Sequence, residues 1–330
     1  MLVVFLLSLA QVILPALALS TPRRGSTSTR DDGNNGIHLA VSPICGPFSG
    51  NTSDASAGIN YQGFKTIVAF GDSYTDGGRE DGGPLPPPVI TPPNPEAGGR
   101  ATDGRVWVEH LAIDINATLM DYAQSGAVTD LSLWPSNPTP ADFLDQMTTF
   151  LGQSNDLDPD TTLYTIFFGI NDYEASKSDG TANLQTAAEV ILEQIRILAS
   201  APTNARSFLV SDVYGRGVHT PEGDAFVQTI FSGLGDLHAG TNSTGTGSEG
   251  PKLNVAFAEF ARIWDGVLDG PPGYAAFGYV STGACIISST VGECDDPDHY
   301  FYYISGHPSK EGHRIMADYV QQVFARCVET

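Results

Sequence analysis

Basic residues are scarce in this 330-residue chain: 16 Lys and Arg stand against 38 Asp and Glu, for a formal net charge of −22. So acidic a surface repels polyanions, which excludes nucleic acid and anionic membrane as partners held by general electrostatics. Charged residues of all kinds make up 16% of the chain, low for a globular protein, and the 41% of hydrophobic residues suffice for a well-packed core. There are four cysteines, and no Cys/His spacing suited to structural zinc. The chain has no internal repeat and no appended carbohydrate-binding module. Nowhere does it carry the Gly-x-Ser-x-Gly nucleophile elbow, which excludes the common lipase arrangement. Beyond the amino terminus no segment is apolar for long enough to span a bilayer.

That amino terminus is distinctive. Residues 1–20 are apolar, broken by Gln11 and Pro15, and end in small residues around Ala16-Leu17-Ala18, as a secretory signal peptide does. Arg23-Arg24 offers a dibasic processing site. Three Asn-x-Ser/Thr sequons, at Asn51, Asn116 and Asn242, fit N-glycosylation of a secreted, extracellular protein. In an oxidising compartment an even set of cysteines forms disulfides. Proximity pairs Cys285 with Cys294, and leaves Cys45 to tie an N-terminal extension to Cys327 at the last helix; buried free thiols are the alternative. Residues 21–60, rich in Ser, Thr, Gly and Asn without periodicity, read as an exposed, partly disordered extension. Residues 61–330 are expected to form one domain.

Within that stretch short apolar runs alternate with amphipathic ones. Phe64–Phe70, Leu163–Phe168, Ser207–Ser211 and Leu253–Phe257 read as buried strands. Val106–Ala117, Ala141–Leu151, Ala182–Ala199, Ala225–Leu237 and Lys310–Cys327 read as helices. In the third of these, Leu184, Ala187, Ala188, Ile191, Leu192 and Ile195 share one face. Such alternation predicts an α/β fold, a three-layer α/β/α sandwich with a mainly parallel central sheet. Residues 79–100, with Pro86-Pro87-Pro88 and Pro92-Pro93, cannot be a core element, because proline removes backbone donors. Following Ser73 closely, they either border a cleft or form an inert surface loop.

The first strand ends in Gly71-Asp72-Ser73-Tyr74-Thr75, which puts a hydroxyl where open α/β sheets hold their ligands. Ser73 is there a nucleophile or a helix cap. Three more segments accompany it: Gly126 in Gln124-Ser125-Gly126-Ala127, Asn171 in Gly169-Ile170-Asn171-Asp172, and His307 in Gly306-His307-Pro308-Ser309. In order and spacing the set resembles the GDSL, or SGNH, hydrolases, named for their Ser, Gly, Asn and His.

The resemblance implies a catalytic pair of Ser73 and His307. It implies an oxyanion hole from the Ser73 N–H, the Gly126 N–H and the Asn171 side chain. It also implies acyl transfer to water without metal or organic cofactor. Asp172 and His313 read as structural. The family usually carries aspartate three residues before the histidine, and here that residue is Ile304. Three arrangements stay open: a backbone carbonyl near Ile304 serving a Ser–His dyad; a third member from Asp295, Asp296 or Asp298; or Asp296 with His299 as the working pair.

The pattern looks most like secreted fungal carbohydrate acetylesterases, which implies a small-molecule or oligosaccharide ester substrate and a monomer. A lipid or phospholipid acyl hydrolase and a catalytically inactive glycan-binding member are the rival readings. Trp107 reads as core, and Trp134, between Leu133 and Pro135, as a surface platform for sugar rings or as core.

Overall fold

The apolar run that ends at Gly71 becomes an inner strand of a sheet with helices on both faces. The structure is a computed structural model and describes residues 35–241, 251–288 and 292–329. Residues 1–20, Arg23-Arg24 and Asn242 lie outside the described residues. Among those described, the strands in chain order are β1 (Ala55–Ala57), β2 (Thr66–Gly71), β3 (Thr118–Asp121), β4 (Thr162–Phe167), β5 (Ser207–Asp212), β6 (Asn254–Glu259), β7 (Ser281–Ile286), β8 (Tyr300–Ile304) and β9 (His307–Pro308). The helices are α1 (Trp107–Ile115), α2 (Phe143–Gly152), α3 (Ile170–Asp179), α4 (Asn183–Ala199), α5 (Pro221–Ala239), α6 (Ala261–Leu268) and α7 (Lys310–Arg326).

The main sheet runs β1-β6-β5-β4-β2-β3, all parallel except β1, which lies antiparallel to β6. Side chains alternate between two cores, as strand geometry requires. Val68, Phe70, Tyr164, Ile166, Phe208 and Val210 join one apolar cluster with α2, α4 and α5. Ile67, Ala69, Leu163, Phe167 and Leu209 join the other with α1, α6 and α7. This is the three-layer α/β/α fold that the alternation predicts. From β2 the chain crosses to β3 on one side and then returns past β2 to β4, so the order reverses between β2 and β4. At such a switch point the loops beyond the carboxyl ends diverge and leave a crevice.

Several boundaries moved for identifiable reasons. Helix α5 begins at Pro221, four residues before the predicted start, because Thr220 caps it by accepting the Gly223 N–H and proline suits the first turn. Helix α1 stops at Ile115, where Asn116 turns left-handed with φ +54°.

The expectation of an exposed lead-in over 21–60 is corrected for residues 35–60. Ala55–Ala57 is a buried edge strand, and Cys45 is bonded to Cys327. Asp54, also buried, accepts hydrogen bonds from the Ile44 and Glu259 amides and the Tyr319 hydroxyl. Small residues such as Ala-Ser-Ala carry no hydrophobic signal, yet they let this strand pack tightly under α7. The second disulfide joins Cys285 to Cys294, so the proximity pairing and the pairing it leaves over are both present.

The proline-rich insertion is a loop, anchored by the buried ion pair of Arg100 with Glu109 (2.6 Å) and by Arg100 Nη2 on the Pro86 carbonyl (3.0 Å). Its Pro95 carbonyl accepts the Tyr303 hydroxyl of β8 (3.1 Å), which sets the insertion against a second, three-stranded sheet of β7, β8 and β9. Among the described residues no helix is long and apolar enough to cross a membrane.

Candidate active site

Each of the three parallel strands β2, β3 and β4 is followed by one of the singled-out residues. Ser73 lies in a tight turn after β2, with the Thr75 and Asp76 amides donating to the Asp72 carbonyl (2.9 and 3.0 Å). The next helix starts only at Trp107, so Ser73 caps nothing. Gln146 of α2 holds the turn from behind, its side chain accepting from the Gly71 N–H (3.0 Å) and donating to the Gly71 carbonyl (2.8 Å).

Gly126 follows β3 with φ +82°, and a Cβ there would stand 2.4 Å from Thr139 Oγ1. Only glycine fits both the conformation and the space. Asp76 fixes the neighbouring residue, accepting from the Ser125 N–H (2.9 Å) and Oγ (2.7 Å). Among the described residues neither the Ser73 nor the Gly126 N–H meets an acceptor. Both are therefore available to an incoming anion.

Asn171 sits in the first turn of α3, just past β4. Its Nδ2 donates to the Ala127 carbonyl (2.9 Å) and lies 3.4 Å from Asp72 Oδ2. The amide thus touches the residue before Ser73 and the residue after Gly126, which draws the three segments together. Asp172 points away. It accepts from the Thr129 N–H (3.0 Å), Thr129 Oγ1 (2.5 Å) and Trp134 Nε1 (2.6 Å), a structural role. The last contact corrects Trp134 as a sugar platform: the ring is wholly buried, because Asp172 supplies a partner for its N–H deep in the core. Trp107 is buried too.

His307 arrives from the small sheet, where it pairs with Ile304 across β8 and β9. Its Nε2 lies 2.8 Å from Ser73 Oγ, and its Nδ1 lies 3.1 Å from the Ser305 carbonyl. A carbonyl can only accept, so Nδ1 carries the proton and Nε2 is free to receive one from serine. The three aspartates proposed as a third member are elsewhere. Asp295 is exposed, Asp296 holds His299 Nδ1 (2.8 Å), and Asp298 pairs with Lys310 (2.6 Å). Asp296 and His299 do pair, but His299 Nε2 meets the Asn35 carbonyl (2.9 Å), not Ser73. Their short loop turns them toward the start of the described chain. His313 is buried inside α7 and does not reach the serine.

The Ser73–His307 contact, with Gly126 and Asn171 beside it at a switch point, accords with what a family comparison finds. The profile of the GDSL-like lipase/acylhydrolase family covers residues 67–320. The chain belongs to that family. A curated acetylesterase from Hypocrea jecorina is 42% identical over 72 residues, and the match spans 20% of each protein. Among solved structures, a family two carbohydrate esterase from Clostridium thermocellum is 18% identical with a TM-score of 0.43, over 78% of this chain and 62% of that one. An acetylxylan esterase from Geobacillus stearothermophilus is 14% identical with a TM-score of 0.39, over 81% of this chain and 97% of that one.

Electrostatics in this GDSL hydrolase divide the site. Burial, opposed in part by the Ser305 hydrogen bond and reinforced by the Arg216 charge, holds His307 below its ordinary value of 6.5. Burial thus favours the neutral imidazole, the form that can accept a proton. Burial pushes the Asp72 carboxyl up to about 7, with the nearby Asp172 charge adding to the rise. Four neighbours of the site carry no sequence signal of their own: Gln146, Asp76, Tyr74 and Arg216. Gln146 and Arg216 lie on elements whose approach depends on the folded topology, whereas Tyr74 is inside the Gly71–Thr75 motif and Asp76 directly follows it.

Proposed function

We propose that this hydrolase cleaves carboxylic esters through an acyl-enzyme on Ser73, with a Ser–His dyad in which the Ser305 carbonyl takes the place of an acid. The 2.8 Å approach of Ser73 Oγ to His307 Nε2 carries the reading. As Oγ attacks the ester carbonyl, its proton passes to Nε2. The Nδ1–H of the resulting imidazolium stays on the Ser305 carbonyl. Charge on the former carbonyl oxygen is met by the Ser73 and Gly126 amides and by Asn171 Nδ2, which must turn its second N–H from Asp72 toward the oxyanion. The imidazolium then gives its proton to the leaving alcohol, and water repeats the cycle on the acyl group.

The substrate we favour is an acetylated plant-wall carbohydrate, met outside the cell. The stretch shared with the fungal acetylesterase supports the acetyl group. Two disulfides, and exposure of Asn51 and Asn116 for glycosylation, support secretion. A neutral sugar ester also suits a surface with a net charge of −22. The aligned serine and histidine speak against an inactive glycan-binding member, and burial of Trp134 removes its best aromatic platform.

Rates on p-nitrophenyl esters of increasing chain length, with Ser73→Ala as control, test both levels. The expected result is highest kcat/KM on acetate and a loss of at least about 10⁴-fold in the variant. Retained activity in Ser73→Ala would overturn the mechanism, and a preference for long acyl chains would favour a lipid substrate.

A further inference from the structure

An imidazole oriented by a backbone carbonyl is held only as firmly as the peptide that offers it. Ser305 is exposed, and the strand pairing around it is irregular between Tyr302 and Ile304. The next carbonyl along the chain, that of Gly306, is gripped from two sides. The Tyr74 hydroxyl donates to it at 2.5 Å and Arg216 Nη1 at 3.4 Å. Because Gly306 links Ser305 to His307, fixing its carbonyl fixes the loop that aims both ring nitrogens.

The two donors are themselves anchored to the rest of the site. Tyr74 directly follows the nucleophile and is wholly buried, stacked on Phe167 at 5.6 Å and lying 5.6 Å from the His307 ring. It ties base to nucleophile without an intervening flexible residue. Arg216 comes from the loop after β5. Its own backbone is left-handed at φ +50°, a conformation unfavourable for a non-glycine residue that the surroundings must sustain. Its Nη2 lies 3.6 Å from Glu174, on the helix that carries Asn171. At Gly306, with φ +72°, a Cβ would stand 2.7 Å from Arg216 Nη1, so glycine admits the guanidinium.

We propose that Tyr74 and Arg216 form a two-donor clamp on the Gly306 carbonyl that positions His307, taking over the orienting task of the aspartate absent at 304. The assignment rests on the Ser73–His307 reading above. Both are positioning residues, acting through the loop and not on the ester. The clamp differs from an aspartate in one respect: it brings a positive charge, not a negative one, toward the imidazole. The groups facing His307 are the Tyr74 phenol from the β2 turn, Arg216 with its counter-ion Glu174 from the β5 loop and α3, and His313 from α7, which burial keeps neutral. Arg216 is the one cation among them.

The test uses Tyr74→Phe, Arg216→Gln and Ile304→Asp, singly and combined, with Ser73→Ala measured alongside. Misaligning the base by a fraction of an ångström is expected to lower kcat about 10- to 100-fold in Tyr74→Phe and in Arg216→Gln, with KM within about twofold. Arg216→Gln also moves the acid limb of the kcat/KM profile to higher pH, whereas Tyr74→Phe leaves it in place. Ile304→Asp restores kcat in the Tyr74→Phe/Arg216→Gln background by at least about tenfold, more than it raises the parent enzyme.

A raised KM at unchanged kcat, or an unmoved acid limb in Arg216→Gln, overturns the clamp. So does an Ile304→Asp gain that is equal in both backgrounds. Should one variant fail to fold, the other single variant and its pH profile still decide. An active Ser73→Ala refutes the underlying mechanism; an inactive Ser73→Ala beside unimpaired clamp variants refutes the clamp alone.

Discussion

The half of the site around Ser73 and the half around His307 are built differently. Ser73, Gly126 and Asn171 stand at the ends of adjacent parallel strands, each backed by a buried residue of the two cores. His307 stands on a two-residue strand of a small sheet whose pairing slips twice. The first half is positioned by core packing together with hydrogen bonds of Gln146, Asp76 and Asn171, the second by hydrogen bonds and a nine-residue disulfide loop. Packing resists small perturbations, because every displaced atom meets a neighbour. Hydrogen bonds at a partly exposed edge do not. The difference teaches where this site is rigid and where it is tunable.

The largest test of that contrast strikes the rigid half. Gly126→Ala forces a side chain into Thr139, and Asn171→Ala removes one donor; each is expected to lower kcat by about 10²–10³-fold. Steady-state kinetics at fixed pH check both. A loss below tenfold in Asn171→Ala would mean that the hole is not assembled around this amide.

The two disulfides sharpen the contrast at a smaller scale. Cys45–Cys327 closes a span of 282 residues, and Cys285–Cys294 one of nine. Removing the first is expected to destabilise the fold by about 2–5 kcal/mol while leaving kcat of the folded enzyme unchanged. Removing the second, which steadies the sheet bearing His307, lowers kcat several-fold with less change in stability. Paired Cys→Ser variants followed by thermal melts and kinetics decide, and equal effects on both readouts would erase the distinction.

The smallest effect is on pH dependence. Burial raises Asp72 to about 7, Asp212 to about 8 and Glu259 to about 7, all at strand ends of the central sheet. A carboxyl raised on folding binds its proton more tightly in the native state. Its stabilisation is complete below the unfolded value of about 4 and is lost as pH rises through the folded one. His307 and His313, lowered on folding, act in the opposite sense, but their contribution is flat above about 6.5. From pH 6.5 to 8.5, Tm is therefore expected to fall by a few degrees, and Asp212→Asn to reduce the slope. A rising Tm across that window would contradict the placement of these carboxyls.

The rigid half was also the legible one. Ile67 to Phe70 and Leu163 to Phe168 announce strands because they are buried on both faces, and the motifs at their ends follow directly. Helix α3 was missed, since Asp172 and Ser176 occupy its buried positions and leave little amphipathic signal. The short β3 strand and the small Ala-Ser-Ala strand β1 lack a hydrophobic run. On the base's side, His307 was readable from its sequence neighbours, but its orienting partner was not. A backbone carbonyl has no letter in the sequence, so a carbonyl near Ile304 could be offered only as one of three arrangements, and its being that of Ser305 needed the fold. Trp134 shows the same limit: its flanking Leu and Pro suggest a surface loop, and only the folded chain reveals Asp172 waiting for the indole.

The bond between Cys45 and Cys327 has a further consequence. It joins the two ends of the described fold into a covalent ring, so a single cut anywhere between them, in the proline-rich insertion for instance, separates no fragment. Both pieces stay tethered on either side of the break and can re-pair at once. A protease must therefore cut twice between the two cysteines before a piece of that span is lost.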